Sequence, residues 1–93
     1  MTIYRVFIDV IETEYGPDDT RYTRENRDVV DIYASKIEAI RQAQRMVDKR
    51  KTYFSTVQKG VLSDKGTKWG ETIYRRYDYA QHKRLEKYYG YIY

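Results

Sequence analysis

The chain has no cysteine, which removes disulfides, thiolate metal ligands and thiol nucleophiles together and fits a reducing cytoplasm. It has one histidine, His82, so two-histidine metal spacing cannot occur, and a Ser-His triad would depend on a single ring near the C-terminus. His82 is therefore read as a surface residue. The five glycines form neither G-x-x-x-x-G-K-[ST] nor G-x-G-x-x-G, so a phosphate-cradling loop has no support. Apolar runs are short, and Asp9 interrupts the hydrophobic N-terminal stretch MTIYRVFIDV. Neither a signal peptide nor a membrane span is expected, and the predicted location is the cytoplasm. Glu12, Glu14, Asp18 and Asp19 gather near one turn, but their order lacks the ligand spacing of a calcium loop, and they read as a solvated acidic turn. No cofactor and no metal are expected, and catalysis is disfavoured.

What is present is tyrosine and charge. Ninety-three residues make one domain, residues 1–93, with a thin core, because a chain of this size hides only somewhat over about 60% of its unfolded surface. Twelve of the fifteen aromatic residues are tyrosine, more phenols than so small a core satisfies, so several are expected at the surface. Residues 1–35 carry four Arg and eight acids, net −4, whereas residues 36–93 carry fourteen Lys or Arg and six acids, net +8. This division favours an anionic partner or a partner surface of mixed sign.

Ser35 to Arg50 is the segment whose local signals agree best. Ser35-x-x-Glu38 is a capping box, in which the serine oxygen accepts from the Glu38 amide and the carboxylate reaches back. At 100° per residue, Ile37, Ala39, Ile40, Ala43, Met46 and Val47 fall on one side, with Arg41, Arg45 and Lys49 on the other. Before this helix, residues 3–12 alternate with Tyr4, Val6, Ile8 and Val10 on one face, as in a strand inside a sheet. Residues 15–20 are turn chemistry, and the return strand, about residues 21–34, should direct Val30, Ile32 and Ala34 to the core. After the helix, residues 52–62 and 68–79 read as a second hairpin around Ser63-Asp64-Lys65-Gly66. Phe54 and Val57 are expected on opposite faces, a bulge at Gly60, and Trp69, Glu71, Ile73, Arg75, Tyr77 and Tyr79 on one side. Residues 80–88 admit a short helix with Leu85 inward, followed by an extended tail over residues 89–93. The expected fold class is α+β: one layer of antiparallel sheet in ββαββ order on one main helix.

Two constellations point to binding. The first is the helix ridge Arg41, Arg45 and Lys49, extended by Lys51, suited to a phosphate backbone or an acidic protein patch. The second is the C-terminal third, where Arg75, Arg76, Lys83, Arg84 and Lys87 interleave with Tyr74, Tyr77, Tyr79, Tyr88, Tyr89, Tyr91 and Tyr93. Tyrosine and arginine supply rigid contact area and forked hydrogen bonds at protein interfaces, and the same pair stacks on bases in single-stranded nucleic acid.

In size, tyrosine and charge richness, and one helix against antiparallel strands, the chain resembles the small accessory proteins of bacteriophages, including anti-CRISPR proteins. The likeness is of the whole chain, not of a motif. It implies a non-enzymatic inhibitor docking on a host protein complex that handles nucleic acid. The alternative is a small module that itself binds RNA or single-stranded DNA. The exposed strand edges and tyrosines also admit a homodimer.

Overall fold

Hydrophobic alternation builds the first hairpin and ion pairs lengthen it. The computed structural model describes residues 1–18 and 21–89, with the side chains of residues 13, 21–23, 88 and 89 outside that description. β1 (Thr2–Tyr15) and β2 (Arg21–Tyr33) pair antiparallel along their length. β1 runs past its expected end because cross-strand charge takes over where apolar residues stop: Arg24 Nε lies 2.7 Å from Glu14 Oε1, and Arg27 Nε 3.1 Å from Asp9 Oδ1.

α1 (Lys36–Asp48) opens as expected, the Glu38 amide donating to Ser35 Oγ at 3.3 Å. Its buried stripe is Ala39, Ala43 and Val47, with Ile40 and Met46 half-buried beside it. Ile37 departs from expectation at 63% exposed. It lies about 120° around the helix from Ala43, outside a stripe only slightly wider than 100°. The small alanines allow close approach to Val6 and Val57, with which they form the fully buried core. Ser55 Oγ donates to the Ala43 carbonyl at 2.8 Å and ties the helix to the sheet.

β3 (Phe54–Ser63) pairs with β1, and β4 (Gly66–Tyr77) with β3, giving the antiparallel order β2-β1-β3-β4 with β1 in the interior. Gly66 takes the left-handed turn position at φ 107°. Simple alternation fails at three bulges. In β2, Val6 pairs with Asp31 and Phe7 with Val29, so Val30 is the extra residue. Val30 and Tyr33 consequently both pack on the core, whereas Ile32 and Ala34, expected inward, are exposed. In β4, the register shifts between Val57 and Gln58 and again before Gly60. Each shift adds a residue on the β4 side, so the expected single-sided row from Trp69 to Tyr79 is broken. Ile73 and its neighbour Tyr74 both pack on the core, and Trp69 turns to the other face.

α2 (Tyr79–Tyr89) replaces the expected tail start at Tyr89; residues 90–93 lie outside the described residues. Asp78 begins it, its Oδ1 accepting from the Gln81 amide at 2.9 Å and its carbonyl from the His82 amide. Leu85 is half-buried, and Gln81 is the more deeply buried residue. The chain is thus α+β, with a four-stranded antiparallel sheet and two helices among the described residues. No helix among the described residues is long and apolar enough to cross a membrane.

Candidate functional site

The helix ridge is a solvent-facing surface. Arg41 and Arg45 on α1, and Lys49 at its C-cap, are all exposed. Among the described residues, none of the three forms an ion pair. Arg41 and Arg45 line a groove of about 380 Å³ with Tyr33, Glu38 and Gln42. Burial, and next the Asp31 carboxylate, push the Tyr33 hydroxyl above the usual tyrosine value, with Arg45 opposing.

The second constellation divides. Arg75 is exposed on β4 and Lys87 on α2, neither in an ion pair among the described residues. Arg76 is held by Asp48 at the end of α1, Nη2 to Oδ1 2.6 Å. Arg84 Nη2 donates to Gln81 Oε1 at 2.5 Å, and Lys83 Nζ sits 3.4 Å from Glu86 Oε2 and 5.5 Å from the Tyr79 ring centroid. Glu86 raises the Lys83 value, Tyr79 adding to it. Tyr79 is 63% exposed. The side chains of Tyr88 and Tyr89 lie outside the description, as do Tyr91 and Tyr93 altogether.

A separate cleft lies where α1 ends and α2 begins; of the residues singled out from sequence it is lined by Arg84 alone. Val47, Asp48 and Arg50 face Asp78, Ala80, Gln81 and Arg84 across a cleft of about 300 Å³. Lys49 closes α1, and Arg50 follows in the left-handed region at φ 58°. Cations here also suit the negative end of the helix dipole.

Tyr77 is 49% exposed and is at the same time tied into the fold. Its hydroxyl bonds to His82 Nδ1, and its ring meets Tyr53 and Phe54 edge-on at 6.3 and 5.8 Å. His82, read from sequence as a surface residue, has only 16% of its side chain exposed. It stacks on Tyr53 with centroids 4.0 Å apart and planes 6° from parallel. The signal that could have found it is Asp78-Tyr79-Ala80-Gln81, a helix-start pattern that sets His82 and Glu86 on one helical face.

A third group carried no sequence signal. On the face away from α1, the Arg5 guanidinium carbon lies 3.9 Å from the Trp69 ring centroid and 4.6 Å from that of Phe7, and Arg27 approaches Phe7 at 5.8 Å. Arg5 Nε donates to Gln58 Oε1 at 2.8 Å, and Gln58 Nε2 to the Gly70 carbonyl. Burial lowers the Arg5 value. Trp69 fits because Gly60 offers no side chain: a Cβ there would stand 2.5 Å from the indole.

No protein-family profile, curated sequence or solved structure matches the chain. The residues alone carry the functional reading.

Proposed function

We propose that the protein is a non-catalytic binding protein, a phage-type inhibitor that docks on a host complex handling nucleic acid. The observation that supports this is how charge is spent. Arg24 and Arg27 answer the acids Glu12, Glu14 and Asp9 of their own hairpin. The cations Arg41, Arg45 and Lys49 on α1 have no ion pair among the described residues. With Glu38 the acid lining their groove, Arg41 and Arg45 still leave that surface net positive, which favours an acidic protein surface and speeds encounter with it. The clefts, about 300 to 430 Å³, stand at the low end for small-molecule sites. This fits a protein that touches a partner better than one that encloses a substrate.

The test is capture from host lysate, with and without nuclease, by the wild-type chain and by Arg41→Glu/Arg45→Glu. Nuclease-resistant capture lost in the double variant, with the melting temperature unchanged, is the expected result. Equal capture by both chains removes α1 from the interface.

The second reading, direct binding of RNA or single-stranded DNA, is favoured by the Arg5–Trp69–Phe7 stack. Guanidinium and aromatic faces on an antiparallel sheet are the surfaces on which unpaired bases stack. On this reading affinity for a single-stranded oligonucleotide falls steeply as salt is raised. A flat salt response, or no gel shift at low ionic strength, eliminates it.

A further inference from the structure

Glu25 of β2 and His82 and Glu86 of α2 bring their ligating atoms within 4.8 Å of one another. His82 Nε2 lies 2.9 Å from Glu25 Oε1 and 3.1 Å from Glu86 Oε1. We propose that these three side chains form a binding site for a divalent first-row transition ion of the zinc type.

The imidazole is prepared for this role on every side. Its Nδ1 is engaged by the Tyr77 hydroxyl, Tyr53 lies flat against it, and Tyr77 meets it edge-on at 81°. A metal-binding histidine needs its second nitrogen held and its ring angle fixed, because both set the direction of the ligating lone pair. In the tautomer whose Nδ1–H donates to the Tyr77 oxygen, Nε2 directs its lone pair toward two carboxylates. The ring nitrogen and the two carboxylate oxygens converge on one point, and a single ion placed there serves all three ligands together.

The distances suit such an ion. Ligand bonds of about 2.0–2.1 Å in a tetrahedron set ligand atoms roughly 3.3 Å apart. The contacts at 2.9 and 3.1 Å then open by a few tenths of an ångström. One nitrogen and two oxygens suit zinc and its neighbours rather than calcium or magnesium, which prefer oxygen throughout. Lys83 takes the other carboxylate oxygen of Glu86, Oε2, at 3.4 Å, leaving Oε1 toward the histidine. Glu25 is 46% exposed in its side chain, so an ion has access from solvent, and the fourth position is open to water. Ligands drawn from β2 and α2 would clamp the C-terminal helix to the first hairpin.

The full chain, freed of metal with a chelator, is titrated with ZnCl2 by calorimetry and thermal melting, and with CoCl2 by visible absorption. The expected result is one equivalent of Zn2+ bound, a higher melting temperature, and cobalt bands intensified as four-coordinate ligation forms. Glu25→Gln and Glu86→Gln keep side-chain shape and should each weaken binding about tenfold or more, with His82→Asn abolishing it. Absence of a one-equivalent site, or Zn2+ affinity unchanged in both glutamine variants, overturns the proposal. Far-UV circular dichroism of the glutamine variants, matching the wild type, separates ligand loss from misfolding.

Discussion

Gly60 and Trp69 are fitted to each other, and the fit sets the position of Arg5. An alanine at position 60 would put its Cβ 2.5 Å from the indole, and the ring cannot retreat freely because the Arg5 guanidinium lies on it at 3.9 Å. Gly60→Ala should cost about 1–3 kcal/mol and shift the fluorescence of the sole tryptophan; an unchanged spectrum and melting temperature would refute the close fit. Tyr33 gives a pH effect. Its value is raised first by burial, so the folded state favours the neutral phenol. That contribution is complete below the unfolded value of about 10 and is lost as pH rises through the higher folded value. Tyr33→Phe should therefore make the alkaline fall in stability shallower, measured by urea unfolding across that range. Tyr77 has two sides: half of its surface is exposed, while its ring and hydroxyl organise Tyr53, Phe54 and His82.

α1 is held by proximity, not by large side chains. Ala39 and Ala43 are fully buried against Val6 and Val57, and the Ser55 hydroxyl reaches the Ala43 carbonyl, which requires the helix axis to lie near the sheet. Ala43→Leu should lower stability by about 1–3 kcal/mol through overpacking, whereas Ile37→Lys on the exposed flank should change it by less than about 0.5 kcal/mol. Equal effects in chemical denaturation would contradict the assigned stripe. The bulges serve the same packing. By adding Val30 to β2 and extra residues to β4, they deliver Tyr33, Ile73 and Tyr74 to the layer beneath α1.

For the molecule as a whole, edges and charge act together. β2 and β4 are the sheet's edges. β4 is interrupted by register shifts, with exposed Lys68, Glu71 and Arg75 along it. β2 carries Arg24, Glu25, Arg27 and Asp28 exposed. Bulges and charge discourage edge-to-edge pairing, so sedimentation at micromolar concentration should report a monomer; a stable dimer would show that another face mediates self-association. The hairpin ion pairs are largely exposed, with Arg24 and Arg27 side chains both at 54%. They contribute little to stability individually, and they occupy Asp9, Glu12 and Glu14 within the hairpin.

Sequence alone determined the elements whose signals are local. The serine cap, the alanine-bearing stripe, the alternation of β1, the Ser63–Gly66 turn and the outward ridge Arg41, Arg45 and Lys49 are properties of neighbours along the chain. Features that depend on residues far apart in the chain were set by how the strands and helices pack. A bulge reverses every later side chain on its strand without leaving a composition signal, so the faces of Ile32, Ile73 and Trp69 were not legible. Glu25 and His82 are separated by 57 residues, and Arg5 and Trp69 come together only because β1 and β4 flank β3 in space. Spacing along one helix or strand fixes which side chains share a face; which faces then meet is set by strand order and register.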